Sequence, residues 1–460
     1  MKQLSAVQEN FNHDQELPPQ CGLDMNNTPP VSRRIRVGCR IRLEAYQSWE
    51  ESFHVFDEES ALAVEMALAA GRPLLVRGEP GSGKTQLARA AAQELNRHFM
   101  AQIINGSSEG QDLLWTYDPV ARLHDAQTLA AEAAVKAVQQ DLSADEEAQE
   151  AEGQDQSQAS SARSGRKKTA RYRRKKSAKQ QRGDREQLFK LLRSGTATGS
   201  NRNCPLERSC GGSLDPGSYV SPGILWWALD CVSARRQHEQ CRCPGYQPAF
   251  GCCPAGDMAA AELLAAARRG FVLLLDEIDK AEASLPNALL EVLGNGSFQV
   301  PLLNHLVTVP PGREKPLVII TTNEERELPP AFVRRCLVLN LRFDDERHLR
   351  NWWNKQAYQN PNAYRADQFQ PDRALIGWLA ERGEVHFEGF FTAKVRERAA
   401  ELLVRDRREA KQLGMVRPGQ AEYLDLLRAL REMTAPEDSS QQLALLERIS
   451  PYALVKHPLE

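Results

Sequence analysis

Gly78-Glu79-Pro80-Gly81-Ser82-Gly83-Lys84-Thr85 is the stretch whose reading decides the fold. The apolar run Pro73-Leu74-Leu75-Val76 leads into it and the helical pattern QLARAAAQEL leads out. G-x-x-x-x-G-K-[ST] between a strand and a helix is a phosphate-binding P-loop. Its glycines allow backbone N–H groups to turn inward around phosphate oxygens, and the helix opening near Lys84 adds its positive end. Lys84 is expected to reach β- and γ-phosphates, and the Thr85 hydroxyl to hold Mg²⁺. The segment predicts binding of a nucleoside triphosphate.

Phe271-Val-Leu-Leu-Leu275 is a continuous apolar run, the signature of a parallel strand buried on both faces. It ends in Asp276-Glu277-Ile278-Asp279. Carboxylates at the carboxyl end of such a strand point into the crevice where ligands of open α/β sheets sit. Asp276 is expected to complete the Mg²⁺ shell, directly or through water, and Glu277 to accept the proton of an attacking water. Asp279 and Lys280 read as an ordinary surface pair. A third apolar run, Leu317-Val-Ile-Ile-Thr-Thr322, closes on Asn323, which would orient that water. Downstream, Leu328-Pro-Pro-Ala-Phe-Val-Arg-Arg-Cys336 precedes another strand-like run, Leu337–Leu341. Arg334 and Arg335 there suit either a helix C-terminus or the charge on a transferring phosphoryl group.

These blocks, in this order, resemble the AAA+ ATPases. Three longer stretches are similar to the MoxR branch: DLLWTYDPVARL from Asp112, YVSPGILWWAL from Tyr219 and DEIDKAEASLPNALLEVLGNGSFQVP from Asp276. The likeness covers Phe53–Gln127 and Tyr219–Leu341 well and the C-terminal region moderately. It implies Walker A at Gly78–Thr85, Walker B at Asp276 and Glu277, sensor 1 at Asn323, and arginine fingers at Arg334 or Arg335 serving an adjacent subunit. Arg335 is favoured, being nearer the next strand. Fingers of this kind imply a homo-oligomeric ring, commonly a hexamer. The resemblance also implies a chaperone-like remodeller of a protein client, often one with a von Willebrand A domain. A sensor 2 arginine in a Ser-Pro-Arg-like motif is missing from the matching stretch, Val416-Arg-Pro-Gly-Gln-Ala-Glu-Tyr423. Arg417 lies a few residues early and suits a substitute or a surface role equally.

The expected fold class is α/β: an AAA+ αβα parallel-sheet core, a C-terminal all-helical lid and a long, partly disordered insertion. Residues 1–50 read as a mostly flexible extension with a short strand around Val31–Leu43. The core is expected over 51–343, and the lid and tail over 344–460. Lys84 and Asp276 are 192 residues apart, whereas a helix, a strand, a second helix and loops need about 50–70. The surplus places an insertion at about 128–262, whose start follows the segment from which MoxR insertions project toward the ring pore. Its charged, low-complexity part spans 141–190 and its Cys-rich part 201–257. Gly223–Ala228 reads as a short amphipathic helix start, with Trp226 and Trp227 filling core.

Formal net charge is only −2 at pH 7, but it hides opposite charge blocks. An acidic, Gln-rich stretch, Ala144–Gln158, is followed by Arg163–Arg185, with twelve Lys or Arg and the single acid Asp184. Such blocks bury too little apolar surface to offset ordering entropy, so disorder is the expectation. The basic run would pair with the acidic block, stay solvated, or hold nucleic-acid phosphates. That last use defines the alternative function, a nucleic-acid-linked motor or nucleotide-gated defence switch. No window is apolar enough to span a bilayer and the N-terminus lacks a secretory core, so a cytoplasmic protein without membrane partners is expected. Seven of the ten cysteines lie between Cys204 and Cys253. Their C-x-C and C-C spacings suit a tetrahedral zinc site poorly, and reduced thiols are the favoured reading.

Overall fold

The computed structural model describes residues 35–46, 48–155, 214–242, 260–436 and 438–454, with 138–155 and 260–264 traced as backbone. The basic run Arg163–Arg185, Cys21, Cys204, Cys210, Cys243, Cys252 and Cys253 lie outside these described residues. The strands, in chain order, are β1 Arg40–Leu43, β2 Ser52–Val55, β3 Leu74–Gly78, β4 His98–Ile103, β5 Trp115–Tyr117, β6 Val220–Pro222, β7 Phe271–Asp276, β8 Ser297–Val300, β9 His305–Thr308, β10 Leu317–Thr322 and β11 Leu337–Leu341.

Five of them form one parallel sheet in the order β11-β3-β10-β7-β4. Their residues alternate between two apolar layers, as the two-residue repeat of a strand requires. Leu75, Met100, Leu273, Leu275 and Ile320 face a layer that includes Trp226, Trp227, Phe298 and Phe332. Leu74, Val76, Val272, Leu274 and Ile319 face the other, built on the helices Glu58–Ala70 and Lys84–Glu94. Burial on both faces explains why the runs read as continuous apolar stretches. From β3 the chain crosses to the far edge at β4, whereas β10 hands over to β11 on the opposite side. The crevice where the connections part lies beyond the carboxyl ends of β3 and β10, the place where α/β sheets bind ligands.

The described residues after Asp345 are mostly helical. The helices Glu346–Gln359, Pro371–His386, Ala393–Gln412, Gln420–Met433 and Ser439–Leu454 share a separate core around Trp353, Trp378, Leu402, Leu403, Tyr423 and Leu427. The fold is thus a parallel α/β sheet core followed by a helical region.

Four expectations need correction. Ile35, Ile41 and Leu43 are buried, and β1 pairs antiparallel with β2, so the folded core begins by residue 35, not 51. The helix Ile224–Leu229 is buried at every residue, because it plugs one sheet face instead of lying amphipathically on it. Residues 214–242 accordingly belong to the core rather than to the insertion: β6 pairs with β5, and Gln237 donates to the carbonyls of Gly217 and Val220. The helix from Pro119 continues to Asp155, through much of the acidic stretch, since Ala, Glu and Gln are strong helix formers whatever the charge pattern. The tail helix starts at Ser439 and runs sixteen residues. Among the described residues no helix is long and apolar enough to cross a membrane.

Candidate active site

The P-loop leaves β3 and enters the helix Lys84–Glu94, with Gly83 as its N-cap. Two of its glycines are required by space. A Cβ on Gly78 would stand 2.5 Å from the Leu341 carbonyl oxygen. One on Gly81, whose φ is +73°, would stand 2.5 Å from the Ala421 Cβ. The loop is therefore pressed between the sheet and the helical region. Lys84 is only 7% exposed, and its Nζ donates to the carbonyls of Gly78 and Glu79, each at 2.9 Å. Burial pushes its ammonium below the ordinary lysine range, against the pull of Asp276, Asp279 and Glu277.

Asp276 ends β7 and is 9% exposed. Its carboxylate accepts from the Thr85 hydroxyl at 3.1 Å and from the Thr321 hydroxyl. Burial raises its pKa, and the two hydroxyls and Lys84 only partly offset that. Thr321 also accepts the Glu277 backbone N–H at 2.9 Å, so one hydroxyl joins both acids. Glu277 has the left-handed φ of +62°, uncommon outside glycine and a frequent mark of functional strain. Its carboxylate receives Asn323 Nδ2 at 3.3 Å and Lys280 Nζ at 2.6 Å.

Asp279 is 2% exposed and not a surface residue. It accepts the backbone N–H groups of Asn323 (3.4 Å) and Glu325 (2.9 Å), tying the loop after β10 to the loop after β7. Lys280 pairs with Glu277 instead. The predicted pairing of Asp279 and Lys280 thus gives way to two separate tasks, since a carboxylate between two sheet loops is best satisfied by their amides.

Lys84, Thr85, Asp276, Glu277 and Asn323 line one cleft of about 400 Å³ together with Pro80, Gly81 and Gly83. A second cleft, about 540 Å³, shares Gly83, Gln86 and Gln420 with the first and also takes in Ser82. It continues over Leu87, Leu341 and Trp378 to His348. Thr85 and Asp276 supply hard oxygen donors side by side, and among the described residues the carboxylate is buried against hydroxyls without a direct cationic partner. That donor set fits Mg²⁺. Among the described residues no group of three His, Cys, Asp or Glu suits a metal ion. The Cys231 thiol is pushed up to about 11 by burial.

Arg334 and Arg335 are exposed and line neither cleft. They precede β11, whose register runs Leu337 opposite Leu74 and Leu341 opposite Gly78. The two arginines therefore stand at the amino end of β3, and its four residue steps put about 13 Å of strand between that end and the P-loop.

Arg407 carries no local signal in the sequence, sitting in the charged run RDRREAK, yet it is 5% exposed. Its guanidinium donates to Glu79 Oε2 at 2.8 Å, Asp344 Oδ2 at 2.6 Å and the Pro418 carbonyl at 2.9 Å. Arg417 joins the cluster by pairing with Glu79. Burial pushes Asp344 upward, but the Arg407 hydrogen bond and the charges of Arg407 and Arg417 outweigh it and hold the acid below its usual range.

A P-loop and two strand-end acids around one crevice of a parallel sheet define a nucleotide-binding α/β protein. Residues 74–144 match the model of the ATPase family associated with various cellular activities, and residues 256–336 match the AAA domain of the dynein-related subfamily. Both segments that carry the P-loop and the strand-end acids thus match AAA+ ATPase models. Among solved structures it is similar to a candidate ATPase from Cytophaga hutchinsonii, at 13% identity over 86% of this chain and 79% of that one, TM-score 0.26. Two variants of RuvB from Thermotoga maritima are 12% identical, with 81% of this chain covered and 68% and 67% of theirs, TM-scores 0.26 and 0.25. No curated protein matches the chain.

Proposed function

We propose that this chain is an Mg²⁺-dependent ATPase of MoxR type, working as a homo-oligomeric ring that remodels or activates a protein client. The observation that carries the hydrolytic reading is the joining of Asp276, Glu277, Thr321 and Asn323 by hydrogen bonds beside Lys84. In this reading Lys84 and the P-loop amides bind the β- and γ-phosphates. Bound between Thr85 and Asp276, Mg²⁺ would neutralise charge developing on the phosphate oxygens. Glu277 takes the proton of the attacking water, and Asn323 holds the carboxylate in place. The second cleft, apolar along Leu87, Leu341 and Trp378, accommodates the nucleoside.

The far position of Arg334 and Arg335 supports their action on a neighbour's nucleotide, since neither reaches the cleft of its own chain. The helix Ser284–Asn295 and the β8–β9 hairpin, which follow the strand-end acids without interruption, support the MoxR assignment. A client with a von Willebrand A domain and a cytoplasmic site of action come with that assignment.

The test is steady-state ATP hydrolysis across a hundred-fold range of protein concentration, with and without Mg²⁺. Turnover per subunit should rise with concentration and vanish on chelation. Glu277→Gln should lose about 100-fold or more in kcat while still binding ATP, and Lys84→Ala should lose binding. Wild-type phosphate release from Glu277→Gln would remove the hydrolytic assignment. Constant turnover at a monomer's mass would remove the ring. Stimulation by DNA or RNA would favour the nucleic-acid-linked alternative.

A further inference from the structure

We infer that Arg72 is a positioning residue for the trans-acting arginines: it sets the turn that carries Arg334 and Arg335. The inference rests on the reading of those arginines as fingers.

The short helix Pro330–Val333 ends in this turn, and β11 begins immediately after it at Leu337. A helix end leaves carbonyl groups without intrahelical partners. Arg72 supplies them. Its Nε donates to the Arg335 carbonyl at 3.0 Å, and its Nη2 donates to the Arg334 carbonyl and, at 3.4 Å, to that of Cys336. Three consecutive carbonyls thus converge on one guanidinium. A planar fork with five N–H donors matches such a group, whereas a lysine ammonium would act as a single point charge.

Arg72 is itself well anchored. Gly71, with φ of +60°, closes the helix Glu58–Ala70, and the backbone N–H of Arg72 bonds back to Ala67 at 3.2 Å. That is the Schellman ending of a helix, which fixes the direction in which the next residue leaves. The adjoining Pro73 carbonyl accepts the Leu337 N–H at 2.8 Å, so the same three residues also set the start of β11. The turn is held on one side by sheet pairing and on the other by the Arg72 fork. The side chains of Arg334 and Arg335 remain exposed, with no ion-pair partner among the described residues. A backbone clamped this way aims two free cations outward from the amino end of the sheet. Arg72 lines neither cleft of its own chain, so its effect falls on the site next door.

That confinement gives a test that a merely structural residue would not pass. Arg72→Ala and Arg72→Lys are assayed alone and mixed with Glu277→Gln or with Arg335→Ala, with binding of a fluorescent ATP analogue measured in parallel. Alone, each Arg72 variant should lose about tenfold or more in turnover, toward the ~100-fold that a 1 Å misplacement costs. Analogue affinity should stay within about twofold. Mixing with Glu277→Gln should restore turnover, because the intact acids of the Arg72 variant then meet ordered fingers. Mixing with Arg335→Ala should restore nothing, since both partners lack working fingers. Rescue by Arg335→Ala, or loss of analogue binding without rescue by Glu277→Gln, would overturn the assignment of Arg72. Wild-type turnover in the Arg72 variants beside a defective but rescuable Arg335→Ala would overturn it too, and would leave the fingers standing. A fully active Arg335→Ala would instead remove the finger reading itself.

Discussion

At the scale of single residues, the site depends on side chains that do more than one thing. Thr321 donates to Asp276 and accepts from the Glu277 backbone, so it holds the two acids in a fixed relation while lining neither cleft itself. Thr321→Val keeps the shape of a side chain that is 0% exposed and removes only the hydroxyl. It leaves a buried N–H unpaired and a buried carboxylate one donor short, which costs about 1–3 kcal/mol. Urea unfolding should show that loss, and turnover should fall further than ATP affinity, because Glu277 loses its register. Equal loss in Thr321→Val and Thr321→Ser would show that the hydroxyl is not what matters. Nothing in the run Leu317–Thr322 singled this threonine out. A hydroxyl inside a strand reads as ordinary β-propensity until the neighbouring strand end is known.

Between elements, the contact that matters most joins the P-loop to the helical region. Glu79 and Asp344 share Arg407 and Arg417, and Arg407 also lies 4.6 Å over the Phe343 ring. The helix Gln420–Met433 touches Gly81 directly. Any change in the loop is therefore felt by the lid helices, and the reverse. Arg407→Ala strips two carboxylates of one of the two arginines they share; because each is about 30% exposed and keeps Arg417, the cost is nearer 2 kcal/mol than the 3–5 of a fully buried pair. Hydrogen exchange should accelerate in Gln420–Met433 well before it does in the sheet, and the KM for ATP should rise. Unchanged exchange there would mean that the latch does not hold the lid. This cluster also marks where the sequence stops being informative. The strands, the P-loop and the acids that follow β7 were legible because each signal is local, a run or a spacing within about ten residues. Glu79, Asp344, Arg407 and Arg417 meet only after folding, across more than 300 positions, and each alone is one more surface charge. The same reason hid Arg72 and turned Asp279 from a presumed surface acid into a loop tie. Ile224–Leu229 was misread differently: six residues are too few for a periodicity to separate a buried plug from an amphipathic turn.

At the scale of the molecule, one sheet carries two complementary ends. The carboxyl ends of β3, β7 and β10 form the cleft, and the amino ends of β3 and β11 carry the exposed arginines. In the proposed ring, a subunit with unlike ends of this sort would associate head to tail, a contact that closes when the rotation permits. The seam that holds core and helical region in the correct relation must then stay intact over the working pH. It contains His54 from β2 and His386 from the helix Pro371–His386, with Asp57, Arg40, Arg382 and Arg428 acting on one or both of them. Burial first, and the Arg382 charge second, lower His54 to about 3 and His386 to about 4. Unfolded, both return to about 6.5. Between those values the unfolded chain binds more protons than the folded one, so acid favours unfolding: the stability present above pH 6.5 is lost as the pH falls toward 4 and then 3. Each histidine contributes ~1.4 kcal/mol per pH unit inside its window, or about 2 kcal/mol between pH 6.5 and 5. Urea unfolding at pH 7.5 and 5 should show a drop of that order for each, and His54→Phe should lessen it by its share. A pH profile that stays flat in the wild type, or that His54→Phe leaves as steep, would mean that protonation at this seam does not govern how core and helical region hold together.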